Sequence, residues 1–372
     1  MVKLSDDPAY ALARDTVRDV VPYQPGKPIE ELQRERGLDS VVKLGSNENP
    51  LGASPKAIEA VRAAAAEIHL YPDGGGFYLK KALGKRLGVA PEQVILGSGS
   101  VELIELVLMT FINEGDEVVS SQYAFAMYAI ATKVVGGRNV VVPARGLGHD
   151  LPAMAEAIGP NTRVVFIANP NNPTGTFATA DEFDEFMAAI PHETVVVYDE
   201  AYYEYVQRPD CPDALSYVRD GRNILVLRTF SKAYGLAGLR IGYGVAREGL
   251  TALISQVRSP FNTTRLAQLA AVAALDDYEH VRRAAELVVQ GRARLCEGLQ
   301  ALGLTAHPSE GNFVLFETNG DGADVSRGLE ERGIIVRPMR GYGLPNHIRV
   351  TVGTSEQNEV FLAALAEVVR AR

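Results

Sequence analysis

The stretch Arg163-Val164-Val165-Phe166-Ile167-Ala168-Asn169-Pro170-Asn171-Asn172-Pro173-Thr174-Gly175 decides the fold. After Arg163 it is apolar at successive rather than alternate positions, the pattern of a strand buried on both faces. It then breaks into a polar loop stiffened by two prolines, which holds Asn172 in a fixed direction. Thr179, with Glu182 three residues later, reads as a capping box for the amphipathic run Phe183 to Ile190. A second apolar run, Thr194 to Tyr198, follows. Strand, helix and strand in this order predict two parallel strands joined by a crossover helix.

Working outward, Gln93 to Leu96, Glu117 to Ser120 and Asn223 to Arg228 repeat the pattern, each an apolar run followed by turn residues and helical periodicity. The fold class is therefore α/β, with a mostly parallel central sheet sandwiched by helices. Ser54 followed by Pro55 marks another helix start. Beyond Arg247 the chain turns to long Ala- and Leu-rich helices, Leu250 to Val257, Thr264 to Leu275 and Val281 to Leu302, with Ser259-Pro260 as a break. From Ala306 onward, strand-like Asn312 to Phe316, Gly333 to Arg337 and His347 to Val352 alternate with helices and predict a smaller α+β C-terminal domain. Pro22, Pro25 and Pro28 mark the first forty residues as an arm. The expected division is thus an arm at 1–40, a large α/β domain at 41–255 and a small domain at 256–372.

Composition narrows the function. With 47% hydrophobic and 22% charged residues over 372 positions, the chain can build a full core. A net charge of -9 argues against a nucleic-acid backbone as partner, while leaving room for a local basic pocket that takes one small anion. Cys211 and Cys296 stand far apart with no metal-ligand spacing, so neither a disulfide framework nor a zinc site is expected, and the compartment is read as reducing. The N-terminus carries Asp6, Asp7, Arg14, Asp15 and Arg18 without an apolar core, and no run is long enough to cross a bilayer. A cytoplasmic enzyme is the expectation, and the sequon at Asn262 then carries no weight.

Ligands of an open parallel sheet bind at the carboxyl ends of its strands, so the polar residues there are the candidates. Gly97-Ser98-Gly99-Ser100 leads into a helix near Val101 and offers free backbone N–H groups to an anion. A dinucleotide fingerprint would need glycine at 102, where Glu102 stands. Asp199-Glu200-Ala201-Tyr202 closes one strand, and Thr229-Phe230-Ser231-Lys232 closes the next, ahead of a loop with Gly235, Gly238, Arg240, Gly242 and Gly244. Asp, Asn, Tyr, Lys and Arg converging on one crevice suit an anionic aromatic aldehyde cofactor that condenses with an amine.

These residues resemble those of the pyridoxal-phosphate-dependent aminotransferases of the aspartate aminotransferase fold (fold type I, class II), and most closely the histidinol-phosphate aminotransferases. The likeness runs through Leu12-Ala13-Arg14, Pro22-Tyr23-Gln24, Asn47-Glu48-Asn49-Pro50, Tyr71-Pro72, the 169–175 loop, Asp199 to Tyr202, Ser231-Lys232-Ala233, Gly238-Leu239-Arg240 and Arg349 to Thr354. It implies pyridoxal 5'-phosphate as cofactor and a homodimer. Lys232 would be the amine that joins the cofactor and carries the proton. Asp199 would face the pyridine nitrogen, Asn172 and Tyr202 the phenolic oxygen, and Phe125 the ring face. Ser231, Arg240 and the amides of Ser100 and Val101 would hold the phosphate, with Tyr71 reaching in from the other subunit. Arg349 matches the residue that meets the substrate's acidic group, Arg337 and Tyr23 match those for a substrate phosphate, and Asn312 matches a residue lining that pocket. Tyr71 and the arm with Tyr23 have no evident place in their own subunit's crevice, so both are expected to complete a partner's site. Val101 stands where relatives carry a polar residue and Leu70 where many have arginine.

The implied reaction is amino transfer between L-histidinol phosphate and 2-oxoglutarate, giving imidazole acetol phosphate and L-glutamate in histidine biosynthesis. Aromatic amino acid aminotransferase, phosphothreonine decarboxylase and non-catalytic cofactor sensor are the alternatives. A sensor would need a fused helix-turn-helix, and the arm is too short and proline-rich to hold one.

Overall fold

The computed structural model describes residues 4–371. Its strands are β1 (Val42–Lys43), β2 (Val94–Gly97), β3 (Glu117–Ser121), β4 (Arg138–Val142), β5 (Thr162–Ala168), β6 (Val195–Asp199), β7 (Ile224–Thr229), β8 (Gly242–Val245), β9 (Phe313–Glu317), β10 (Ile334–Ile335), β11 (Arg337–Pro338) and β12 (His347–Thr351). The seven strands β2 to β8 form one sheet in the order β2-β8-β7-β6-β5-β3-β4. The β4, β3, β5, β6 and β7 neighbours are all parallel, whereas β8 runs antiparallel between β7 and β2.

The unbroken apolar runs follow from burial on both faces. Val164 and Phe166 pack into one layer with Leu103, Val107 and Ile254, while Val165 and Ile167 face the other with Leu83 and Phe183. The helices Ser100–Phe111 and Ala126–Val135 cover the first face, and Phe77–Leu87 and Ala180–Ala189 the second. Thr179 and Glu182 do form the capping box, and Ser54 caps Pro55–Ala64 through the Ala57 N–H.

Two strands depart from the expectation. Gly242 and Gly244, read as loop residues, lie in β8. A Cβ at Gly242 would stand 2.7 Å from the Ser100 nitrogen, and one at Gly244 would stand 2.8 Å from Leu225, so glycine serves close packing here and no turn. β4 is an edge strand with partly exposed side chains and lacks the fully buried signature.

The C-terminal unit holds an antiparallel sheet, β11-β12-β9. The single strand expected over Gly333 to Arg337 is split, since β10 pairs in parallel with β1 while β11 pairs with β12. The chain at residues 42–44 is thereby stitched to the C-terminal unit, with Thr351 N–H donating to the Leu44 carbonyl at 2.7 Å. The helix Arg265–Leu275 packs through small residues on Pro55–Ala64 and Phe77–Leu87, and Tyr278–Ala301 then packs on β9 and on the helix Ser355–Arg370. In the N-terminal segment the helix Ile29–Arg36 anchors through fully buried Leu32. Among the described residues no helix is long and apolar enough to cross a membrane, and both cysteines are free.

Candidate active site

The carboxyl ends of β2, β5, β6 and β7 open into one cavity of about 320 Å³, whose far wall comes from the 45–48 segment and the C-terminal unit. On one side Gly99, with φ of 77°, turns the chain into the helix Ser100–Phe111. The first-turn N–H groups of that helix have no intrahelical acceptor and point at the cavity's end. Glu102, in the position that breaks the dinucleotide pattern, accepts from Ser98 N–H at 2.5 Å and from Asn262 at 2.6 Å, which fixes the turn. Opposite stand Ser231 and Arg240, whose guanidinium donates to Ser231 Oγ at 3.5 Å and to the Ala237 carbonyl at 3.0 Å. Arg240 adopts a left-handed backbone at φ 54°, and its Nη2 lies so near Gly99 that a Cβ there would come within 2.5 Å. Backbone strain of this kind persists only where the surroundings enforce it.

In the cavity's middle Lys232 Nζ donates to the Ser46 carbonyl at 3.2 Å. Burial, helped by the positive charges of Arg349 and Arg240, lowers its pKa to about 8. Asp199, at the end of β6, accepts from the Tyr128 hydroxyl at 2.8 Å and from Ala201 N–H at 3.1 Å. Burial raises this carboxyl's pKa, and those two hydrogen bonds with the nearby Lys232 charge act in the other direction. The Tyr202 hydroxyl accepts from Asn47 Nδ2 at 2.9 Å, and burial pushes its pKa up to about 12. Asn47, which is buried, is a second residue with a left-handed backbone, pinned by Thr351, whose Oγ1 accepts its N–H at 2.9 Å.

Strand register places two more cations together. Arg337 on β11 lies directly opposite Arg349 on β12. Like charges facing across a sheet are unfavourable. Arg349 donates to the Asn172 side-chain oxygen and the Gly45 carbonyl, and its Nε is buried without a partner. Arg337 donates to the Gln24 carbonyl and sits 5.6 Å from the Tyr23 ring centroid. Every hydrogen bond that Lys232, Arg240, Arg337 and Arg349 make among the described residues goes to a neutral acceptor. A chain with a net charge of -9 thus gathers four cationic side chains around one cavity. The arrangement suits a ligand with an anionic group at each end.

Most of the residues singled out in the sequence meet here: Tyr23, Ser100, Val101, Phe125, Asn172, Asp199, Tyr202, Ser231, Lys232, Arg240, Arg337 and Arg349 all line the cavity. Tyr23 does so within its own chain, 5.9 Å from Phe125, which corrects the expectation that it has no place in its own subunit's crevice. Arg337 holds the segment there, through its hydrogen bond to the Gln24 carbonyl and its contact with the Tyr23 ring. Asn312 does not line the cavity. It is fully buried and donates to the Asn47 carbonyl at 3.0 Å, so it supports the 47–48 backbone from behind. Tyr71 is 80% exposed and stacked on Phe261 at 4.7 Å, away from its own chain's cavity. Tyr128 was missed. Its only signal is its place three residues after Phe125, which puts both on one face of a helix start.

The profile of the aminotransferase class I and II family matches residues 39–365. The chain is 49% identical over 360 residues to histidinol-phosphate aminotransferase 1 of Nitrosococcus oceani, covering 97% of each, and 48% identical to the histidinol-phosphate aminotransferase of Moorella thermoacetica, covering 96% of this chain and 92% of that one. Among solved structures, the histidinol-phosphate aminotransferase of Sinorhizobium meliloti in complex with pyridoxal-5'-phosphate superposes with a TM-score of 0.87 at 30% identity, covering 96% and 99% of the two chains. A double mutant of Thermus thermophilus aspartate aminotransferase gives 0.82 at 25% identity over the same shares. The chain belongs to the class I and II aminotransferase family.

Proposed function

We propose that the protein transfers the amino group of L-histidinol phosphate to 2-oxoglutarate, forming imidazole acetol phosphate and L-glutamate in histidine biosynthesis in the cytoplasm, with pyridoxal 5'-phosphate as cofactor. The observation that carries this reading is the set of four cations without carboxylate partners around one cavity, with Arg240 at one end, Arg337 and Arg349 at the other, and the lowered-pKa amine of Lys232 between them.

The donor set fits the cofactor. The Ser100 and Val101 amides, Ser231 and Arg240 would hold its phosphate, where helix N-terminus and guanidinium act together. Phe125 would cover one ring face, Asp199 would meet the pyridine nitrogen, and Asn172 and Tyr202 the phenolic oxygen. When bound, pyridoxal phosphate supplies an aldehyde to receive the amino group and a ring that accepts electrons.

The chain's own residues do the rest. Asp199, whose ionised form the Tyr128 hydrogen bond favours, would hold a proton at the ring nitrogen. Lys232, whose lowered pKa leaves far more of the neutral amine near neutrality than an ordinary lysine has, takes a proton from the substrate carbon at Nζ and returns it. Arg349 and Arg337, with Tyr23, bind and orient the acidic end of each substrate. Tyr71 completes the phosphate site of a second copy. This is supported by the exposed apolar row Ile68, Leu70, Tyr71, Phe77 and Tyr78 around the 74–76 glycine turn, a surface that suits burial against a partner.

The test compares histidinol phosphate with phenylalanine as donors in wild type and Arg337→Ala. A charged hydrogen bond is worth roughly 1.5 to 3 kcal/mol, so the variant should lose about tenfold or more in kcat/KM for histidinol phosphate. Phenylalanine should lose much less. Equal losses, or a wild type that prefers phenylalanine, would replace this reading with an aromatic amino acid aminotransferase.

A further inference from the structure

A group of side chains outside the cavity remains unused by this chemistry. In the antiparallel register of β12 with β9, His347 lies opposite Glu317. On the other side of β9 the chain at 305–307 runs antiparallel to it, with Glu317 N–H donating to the Thr305 carbonyl and His307 N–H to the Leu315 carbonyl, both at 2.8 Å. Side chains two residues apart on a strand share a face, so Leu315 and Glu317 point the same way, and His307 and His347 flank Glu317 on that face. His307 Nε2 lies 3.4 Å and His347 Nε2 3.9 Å from the same oxygen, Oε1 of Glu317. The imidazoles stack at 5.4 Å between centroids with 20° between planes.

These contacts are not hydrogen bonds. His307 Nε2 is buried and has no hydrogen-bond partner, and Nδ1 of His347 is likewise unsatisfied. A buried imidazole nitrogen beside a carboxylate oxygen with no hydrogen bond between them is incompletely satisfied, and a group that takes an electron pair from both would satisfy it. A metal ion does this. Tetrahedral ligand atoms at bonds of about 2.0 to 2.2 Å stand roughly 3.3 to 3.6 Å apart, and the three ligand atoms here lie within 4.8 Å of one another. One separation already fits, and the others close by small side-chain rotations. The two imidazoles are mostly buried while the Glu317 side chain is half exposed, so a path for the ion and a position for a bound water lie on the Glu317 side.

We propose that His307, Glu317 and His347 bind one divalent transition-metal ion of the zinc class, held by two imidazole nitrogens and one carboxylate oxygen with a fourth position open to water. Three protein ligands with a borderline-soft donor set select zinc, cobalt or nickel over magnesium or calcium. The ion would clamp three adjacent strand segments of the C-terminal unit.

The test uses tag-free holoenzyme dialysed against zinc chloride and then against metal-free buffer, with retained zinc measured by elemental analysis, and a parallel cobalt titration followed by visible absorption. Wild type should retain one zinc per chain, show the absorption of cobalt bound to imidazole, and unfold at a higher temperature with zinc present. His307→Gln/His347→Gln should retain none, while His69→Gln, which removes an exposed imidazole elsewhere, should match wild type. Glu317→Gln, conservative at a half-exposed position, should bind more weakly by more than the roughly 10–100-fold that loss of an outer partner costs. It therefore keeps the test valid should the double variant misfold. A wild type without zinc, or a double or Glu317 variant that holds zinc as tightly as wild type, would overturn the proposal.

Discussion

Lys232 shows how one residue's environment couples stability to chemistry. Its pKa of about 8 in the folded chain lies below the ordinary value of 10.5. Between those values the folded chain holds fewer protons than the unfolded one, so the cofactor-free protein gains stability as pH rises through that window and gains no more above it. At pH 7 the amine is a buried cation beside Arg349 and Arg240 and costs stability. Lys232→Met should therefore raise the unfolding temperature of the cofactor-free chain at pH 7, flatten its rise between pH 8 and 10, and abolish turnover. Thermal unfolding of both chains at the two pH values checks this, and parallel pH profiles would count against a lowered pKa. The same residue should take the label when borohydride reduces the holoenzyme.

Tyr128 acts on the chemistry through Asp199. Removing its hydroxyl takes away one of the two hydrogen bonds that oppose burial at the carboxyl, so Tyr128→Phe should raise the Asp199 pKa further. The expected result is a kcat about tenfold lower, from the roughly 1.5 to 3 kcal/mol of a charged hydrogen bond, with the acidic limb of the pH profile moved upward. A fall in kcat with an unmoved limb would make Tyr128 a packing residue. Asp199, Lys232 and Arg349 were legible in the sequence because each is a polar residue closing an apolar run or sits in a recognisable motif. Tyr128 was not, because an aromatic on a mostly apolar helix looks like core until its hydroxyl's partner is seen.

Elements place these groups, and at this scale legibility followed burial. β5, β6 and β7 are covered on both faces and so read as unbroken apolar runs, whereas β8 is disguised by Gly242 and Gly244 and β4 by its exposed edge. The split of the segment after Gly333 was invisible for another reason: which partner a two-residue strand takes depends on residues 42 and 349, far away in sequence. The His307, Glu317 and His347 group arises from register in the same way. The turn from β2 into the helix Ser100–Phe111 gives the sharpest test. Gly99 combines a positive φ with the closest approach of Arg240, so Gly99→Ala must displace the guanidinium, the turn or both. The change should weaken pyridoxal phosphate retention by about tenfold, the value of one charged hydrogen bond, and leave the far-UV circular dichroism unchanged. Cofactor retention during gel filtration, followed by absorbance, measures it. Intact retention would mean that the phosphate sits elsewhere.

At the scale of the whole molecule, the position of Tyr71 determines how many chains make one site. Its ring lies outside its own cavity, 80% exposed and braced by Phe261, whose left-handed backbone at φ 55° aims it at the same spot. A phenol held rigidly in solvent beside exposed Leu70, Phe77 and Tyr78 gains little by itself and much against a second copy. A two-fold dimer requires that what one chain gives its partner it also receives. Tyr71→Ala should then disable the partner's site, and Lys232→Ala only its own. When the two inactive variants are mixed equally and exchange subunits freely, about half the dimers are hybrids by the statistics of a symmetric pair. Each hybrid carries one site with both Lys232 and Tyr71 and one with neither. Activity should return to roughly a quarter of the wild-type value, because one of two sites works in half of the dimers. Exchange is verified by native mass spectrometry of chains differing in isotope label. If hybrids form and activity stays at the level of the separate variants, then Tyr71 serves its own chain or none, and the site is complete within one subunit.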